Sequence, residues 1–457
     1  MKEQMNPSSA RRIGRRIGMV GIAAAAVVAT LTGCSTKAQS GSNGQYGFDE
    51  AAQSKGSTIT VWVDATRAPA VKAFEQANPS IKVKTVTYDG SSNGSNSFKT
   101  KMGLFDRSGS GWPDVVFSSQ NNDASWASQK TAGKQPFAAV LDKGLVPQST
   151  LSNFTKGSLD VCTVDGKVYC LRNDLAQNVL WYNKTLLTKF GYSLPTTWEE
   201  YQQLGAKVAK DHPGYIIGSV GDPWPEIYMA GSKCGANEVT GARTMSVDTE
   251  STECKRATDL IDAGVANKSL STLSVFSPDF VKKYSGKVLM MPGPVWFSGA
   301  IFNNAQSLNV PKGQLGVANP LPWGSDQAVT GNVGGGTWFI SSHSKNLAAA
   351  TKFAQYVTTA DAYQVDQAPG YPAYAPAATK WLAKQSSSGY YATDLSAVTT
   401  AAGEVWSGWG SPAFSQEAIW AKVMSPLITS GKSTTSNLAA WGTEIKNQAQ
   451  VNGYTVK

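Results

Sequence analysis

Four stretches, Thr58-Ile-Thr-Val-Trp-Val63, Pro69-Ala-Val-Lys-Ala-Phe-Glu-Gln-Ala77, Ile81-Lys-Val-Lys-Thr-Val-Thr-Tyr88 and Pro113-Asp-Val-Val-Phe117, follow one another early in the chain. The first is β-branched and aromatic, which predicts a strand. The second spaces Val71, Phe74 and Ala77 on one helical face, and Asn78-Pro79 ends it. The third alternates as a strand. A Gly/Ser/Asn loop follows, then a helix is expected near Phe98–Phe105 before the strand that starts at Pro113. Strand, helix, strand, helix, strand is the pattern of a parallel sheet with covering helices, so the fold class is α/β. In such sheets ligands bind beyond the carboxyl ends of the strands. Candidate binding residues are therefore Asp64, Thr66 and Arg67 after the first strand, and Tyr88 and Asp89 after the second. Gln120, Asn121 and Asn122 follow the third.

Upstream of this run, Arg11, Arg12, Arg15 and Arg16 precede an apolar stretch from about Met19 to Leu31. That stretch is too short to span a bilayer and fits a signal-peptide core. It ends in Leu31-Thr-Gly-Cys34, which resembles the bacterial lipobox. The resemblance implies cleavage after residue 33 and lipid on the Cys34 sulfur. Residues 34–57, rich in Ser, Gly, Gln and Asn, are expected to form a flexible tether. No later segment is long and apolar enough to cross a membrane. The net charge is +9; the leader holds five Lys/Arg against one acid, which leaves about +5 on the mature chain. Its lysines are scattered, which argues against a nucleic-acid partner.

Besides Cys34, the chain has Cys162, Cys170, Cys234 and Cys254. An even number in an exported chain reads as two disulfides. Three pairings are possible, and proximity favours Cys162–Cys170 and Cys234–Cys254. The first pair flanks Val164-Asp-Gly-Lys167, a hairpin signal. A two-residue turn there would set Cys162 opposite Tyr169, so a three-residue loop or a bulge is expected. There is no Cys-x-x-Cys, and His212 and His343 are far apart in sequence, which speaks against a metal site. No cofactor is expected.

Further along, Leu180–Lys184, Lys287–Met291 and Trp338–Ser341 read as strands. Thr197 is expected to cap a helix with Glu200 at the capping-box position. Residues 252–266, 276–284, 346–358 and 435–451 read as helices.

Taken in order, several segments resemble one family. They are Thr58–Trp62, Pro69–Pro79 with Ile81–Val83, Pro113–Val116, Asp165-Gly-Lys-Val-Tyr169 with Leu180-Trp-Tyr-Asn-Lys184, Leu194-Pro-Thr-Thr-Trp-Glu199, Gly286–Met291 with Pro294-Val-Trp296, and Gly334-Gly-Gly-Thr-Trp-Phe-Ile-Ser341 with Ala348–Phe353. The resemblance is to the carbohydrate-binding family of ABC-importer solute-binding proteins, the group that includes maltose-binding protein. It covers residues 58 to about 451. It implies a two-lobe periplasmic-binding-protein fold with hinge crossings and a central ligand cleft. Residues 58–171 and 316–359 would form lobe 1, and residues 172–315 and 360–457 lobe 2. It further implies a monomer, lipid-anchored to the outer face of the cell membrane, that binds carbohydrate, catalyses no reaction and delivers its ligand to ABC permease subunits.

A sugar offers apolar C–H faces to aromatic rings and hydroxyls to polar side chains. On that chemistry and the resemblance together, the expected ligand-binding residues are Asp64, Arg67, Asp89, Asn121, Asn122, Asp174, Asp222, Trp224, Trp296, Gly335, Trp406 and Trp409. Asp222-Pro-Trp224 matches an acid–aromatic pair of the family, and Trp296 is the leading stacking candidate. Gly334–Gly336 would let backbone amides approach a ligand. Two other readings stand beside this one. A secreted glycoside hydrolase would also show aromatics and carboxylates, and a sugar-sensing or adhesive lipoprotein could share the fold. The Gly90-Ser-Ser-Asn-Gly94 match to a nucleophile elbow lies in a low-complexity loop and carries no weight.

Overall fold

The computed structural model describes residues 44–457 except 55, 57 and 132. The leader and Cys34 lie outside these residues. The strands that organise the rest are β1 (Thr58–Val63), β2 (Lys82–Thr87), β3 (Val115–Ser118), β4 (Leu171–Arg172), β5 (Asn178–Asn183), β6 (Met290–Pro294), β7 (Leu315–Ala318) and β8 (Thr337–Ile340). They form two sheets. The first has the order β2-β1-β3-β8-β4, and the second the order β6-β5-β7.

The first sheet begins as the early sequence predicts. β1 pairs parallel with β2 and with β3. The helix Ala68–Ala77 returns the chain between β1 and β2. It buries Ala70, Val71, Ala73 and Phe74 and leaves Ala77 exposed. All of β3 is buried, as a central strand requires. The late strand β8 then joins antiparallel beside β3, with Thr337 opposite Ser118. β4 pairs on its far side, with Arg172 opposite Thr337. Side chains alternate across β8. Trp338 meets Phe117 and Phe353 on one face, and Phe339 meets Phe98 on the other. The helix Leu347–Thr359 closes the first face, its Phe353 ring 4.9 Å from Phe74.

The second sheet is antiparallel throughout. Its middle strand buries Trp181, whose indole N–H donates to the Pro294 carbonyl at 3.1 Å. Gly316 to Ala318 pair with Tyr182 to Leu180 here, so these residues belong to the second sheet. The chain therefore returns to the first sheet only after Ala318, at β8. The C-terminal helices Gln416–Val423 and Leu438–Val451 pack through Trp420 against Trp441.

Two local findings correct the sequence reading. Both disulfides form, Cys162–Cys170 and Cys234–Cys254. The first needs neither a three-residue loop nor a bulge. The hairpin turns on Asp165 and Gly166, both at positive φ, with Val164 opposite Lys167. Cys162 ends a 3-10 turn outside the ladder, which brings its Cα within 5.0 Å of Cys170. Nor are residues 44–54 a free tether. Phe48 is buried in the core cluster. Gln53 donates to the Ser344 carbonyl and accepts from the Leu347 amide, capping the helix that starts there. The polar composition is real, but two aromatics, Tyr46 and Phe48, are enough to dock the strand of chain. The cap on the helix Trp198–Asp211 is Thr197, as expected, while Glu200 reaches back one residue further, to the Thr196 amide at 2.7 Å.

Candidate functional site

A cleft of about 1090 Å³ is lined by residues from widely separated segments. Gln120, Asn121 and Asn122 come from the turn after β3. Arg172, Leu175 and Gln177 come from the crossing between β4 and β5. Glu226, Asn332, Trp406, Trp409 and Glu417 complete the walls, and the disulfide-closed hairpin adds Tyr169 and Asp165. A second groove, of about 540 Å³, lies between residues 45–53 and the helix Leu347–Thr359. It is smaller and lacks tryptophan and Asp side chains, so the larger cleft is the candidate site.

The turn after β3 is shaped by a buried carboxyl. Asp123 accepts from Ser118 Oγ at 2.5 Å and from the Trp126 indole at 2.7 Å. Burial pushes its pKa up to about 6, against the pull of those two bonds and of Lys99. Ser118 also accepts from the Gln120 amide, which turns the next residues toward the cleft. Asn121 is held by Arg172. That guanidinium is buried and donates to Asn121 Oδ1 at 2.5 Å, to the Gly334 carbonyl at 2.8 Å and to the Asp174 carbonyl at 3.0 Å. Burial lowers its pKa to about 10, with Asp174 opposing. Gly335, expected to admit a ligand, instead admits Arg172. A Cβ there would sit 2.4 Å from the guanidinium, and the residue is at φ +79°.

Two carboxyl groups meet in the cleft. Glu226 and Glu417 are each 7% exposed. Gln120 Nε2 donates to Glu417 Oε2 at 3.1 Å, whereas Glu226 Oε2 has no hydrogen-bond partner. Burial raises the Glu226 pKa well above the carboxylate range, and the nearby Glu417 adds to it. Burial likewise pushes Glu417 up to about 7, eased by Gln120 and raised by Asp123. The Trp409 indole is near enough to oppose the Glu226 shift but does not close a hydrogen bond. Trp406 lies half-buried against Gly408, where a Cβ would come within 2.4 Å of the indole. Polar groups edged by two indoles suit a polar, non-planar small solute.

The model of the family described as bacterial extracellular solute-binding protein matches residues 56–364. The chain belongs to this family. Its members work outside the cytoplasm, and no helix among the described residues is long and apolar enough to cross a membrane. A relative, the multiple sugar-binding protein of Streptococcus mutans, is 26% identical over 348 residues, covering 70% of this chain and 77% of that one. Solved structures share the two-lobe fold. The ABC transporter associated binding protein of B. animalis subsp. lactis, in complex with beta-1,6-galactobiose, has a TM-score of 0.72 at 19% identity, covering 88% of this chain and all of its own. The galacto-N-biose-/lacto-N-biose I-binding protein of Bifidobacterium longum has a TM-score of 0.69 at 19% identity, covering 90% and 100%. The GacH receptor of Streptomyces glaucescens has a TM-score of 0.66 at 22% identity, covering 88% and 100%. These are binding proteins rather than enzymes.

In this solute-binding protein, four of the expected residues line the cleft together: Asn121, Asn122, Trp406 and Trp409. Others are committed elsewhere. Asp64 accepts from the Arg67 amide at 2.8 Å and from its guanidinium at 3.2 Å. Arg67 also lies over the Phe117 ring and 4.0 Å from Asp174. Asp174 takes the Gly336 amide at 3.0 Å and Asn173 Nδ2 at 2.7 Å. These three residues tie the sheet to the crossing. Asp89 holds the loop before the second helix through the Ser91 amide and Ser97 Oγ. Those bonds lower its pKa in spite of partial burial. Asp222 accepts from Ser274 Oγ at 2.6 Å and the Val275 amide at 2.9 Å, and burial raises its pKa. Trp224 is buried, and Trp296 packs edge-on against it at 5.6 Å while donating to the Val333 carbonyl at 2.8 Å. Both tryptophans lie outside the cleft wall, in a cluster with Phe276 and Phe297. Sequence reasoning missed Arg172, Gln177, Glu226, Asn332 and Glu417. Glu226 carried a signal, because it sits two residues past Trp224 in the same proline-rich turn.

Proposed function

We propose that this protein is the carbohydrate receptor of an ABC-type importer. One observation carries the reading: the cleft sets amide and carboxyl side chains, Gln120, Asn121, Asn122, Gln177 and Glu226, beside the indoles of Trp406 and Trp409. Amides and carboxyls answer sugar hydroxyls, and indoles answer the C–H faces. The Streptococcus mutans relative is a multiple sugar-binding protein, and the relatives of B. animalis and Bifidobacterium longum are binding proteins of ABC transporters, with disaccharides bound. Cys34 carries lipid and holds the monomer at the outer face of the membrane. The first lobe takes residues 58–171 and 337–359, and the second residues 172–318 and the C-terminal helices. Sugar that touches both lobes stabilises the closed form, which docks on the permease subunits. The chain releases its sugar unaltered.

The test is a titration of the mature protein with mono- and oligosaccharides, followed by tryptophan fluorescence and calorimetry. Saturable binding of one sugar class, with the sugar recovered intact, is the expected result. Recovery of shorter sugars would turn the reading to a glycoside hydrolase with Glu226 and Glu417 as its carboxyl pair.

A further inference from the structure

The cleft holds two buried acidic groups that no protein cation answers. Glu226 comes from the Pro225–Ile227 turn and Glu417 from the start of the helix Gln416–Val423. Among the described residues, neither takes part in an ion pair. The cleft's buried cation, Arg172, is already committed to Asn121, Gly334 and Asp174, while Lys156 and Arg243 on the wall are exposed and make no ion pair with either acid, Arg243 donating to the Asn452 carbonyl. Lys99 lies toward Asp123, the third acid of this neighbourhood, and donates to Ala413 and Asn452. Glu417 has a single neutral donor, Gln120. Glu226 Oε2 and the Trp409 indole N–H, both buried and both on the cleft wall, lie toward each other without closing a hydrogen bond.

Two adjacent carboxylates out of water, without a cation, are costly. They must bind a proton or be met by a positive ligand. A neutral sugar leaves the pair dependent on bound protons, since a hydroxyl brings no charge. An ammonium group donates up to three hydrogen bonds and offsets one of the two carboxylate charges, so the pair then needs at most one proton.

We infer that the solute is an amine-bearing carbohydrate whose ammonium sits between Glu226 and Glu417. This rests on the carbohydrate reading above and narrows it. Burial and the neighbouring Glu417 favour the protonated form of Glu226 in the free protein, and an arriving ammonium favours its carboxylate, so binding releases a proton to solvent.

The experiment uses matched sugar triplets that differ at one carbon: amine, hydroxyl and N-acetyl, in gluco and galacto mono- and disaccharides. Affinity is measured calorimetrically at pH 7 in two buffers of different ionisation enthalpy. The amine member of one triplet is expected to bind at least about tenfold tighter than its partners, with proton release seen for the amine alone. Glu226→Gln and Glu417→Gln should each bring the ratio toward one. The wild-type selectivity stands as evidence even if a variant does not fold. A hydroxyl or N-acetyl sugar that binds as tightly as its amine overturns the inference and leaves the carbohydrate reading intact. Failure of every triplet and every neutral oligosaccharide overturns both.

Discussion

Trp406 and Trp296 are both half-buried tryptophans on irregular chain, and their surroundings differ. Trp406 lines the cleft, on a backbone pinned by its amide to the Thr330 carbonyl at 2.8 Å. Trp296 spends its indole N–H on Val333 and its ring on Trp224, Phe276 and Phe297. Trp406→Ala is expected to weaken sugar binding by about 1–3 kcal/mol with little change in melting temperature. Trp296→Ala is expected to cost about 2–3 kcal/mol of stability and to leave the affinity of the folded fraction near wild type. Melting curves and titrations of the two variants separate these outcomes. A Trp296→Ala protein with native stability and lost binding would return that residue to the site.

Glu417 gives a prediction of a different kind at the same scale. Its folded pKa is about 7 against an ordinary 4.5, because burial disfavours the charge. A carboxyl raised on folding favours the folded state while protonated. That contribution is complete below pH 4.5 and is lost as pH rises through about 7. Asp123, raised to about 6, acts in the same direction. Glu417→Gln removes one share of this dependence. Its melting temperature should therefore fall less than that of wild type between pH 4.5 and 7, and lie above it at pH 8. Parallel slopes for the two proteins across that window would rule the account out.

At the scale of elements, the readable parts were those with a local cause. The helix Ala68–Ala77 and strands β1 to β3 follow from periodicity and from the Asn78-Pro79 stop. The helix Thr252–Ala266 has the bounds its pattern suggests. The site was less legible because it is assembled from afar: Gln120 and Glu417 are joined across 297 residues, and Arg172 reaches Gly334 across 162. A residue's type can suggest ligand contact, but only the packing shows that Asp64 takes the Arg67 amide and guanidinium, and Asp222 a serine and a backbone amide. The docked segment 44–54 shows the reverse error, since its polar composition hides one decisive side chain. Phe48 lies 8% exposed in the core cluster. Phe48→Ala should cost about 2–3 kcal/mol, below the usual range for a deep core site because the segment is short and peripheral. Hydrogen exchange at the Leu347 amide, held by Gln53 Oε1, should speed up with it. Unchanged protection there would mean the segment docks without Phe48.

For the molecule as a whole, the decisive feature is that cleft contacts join separate structural units. Gln120 belongs to the turn after β3 of the first sheet, while Glu417 belongs to a C-terminal helix that packs on Leu438–Val451 through Trp420 and Trp441. Ser125, in the short helix Asp123–Ala127 that follows this turn, donates to the Ser411 carbonyl at 2.5 Å. Between the sheets the chain crosses through residues 172–178, returns between β7 and β8, and leaves the first sheet's side again after the helix Leu347–Thr359. Such crossings permit rotation about a hinge, and a few polar bonds across the cleft are too weak alone to hold it shut in water. A ligand that contacts both walls supplies the difference, because it binds the closed arrangement better than the open one. Small-angle scattering of the mature protein should therefore show a smaller radius of gyration on saturation with sugar. Thermal stability should rise by about 2.7 kcal/mol at a hundredfold excess over Kd. The stability gain follows from binding alone, whereas the contraction follows only from closure. A protein that gains stability at constant radius binds its sugar in a cleft already shut, and the lobes then do not signal occupancy by their angle.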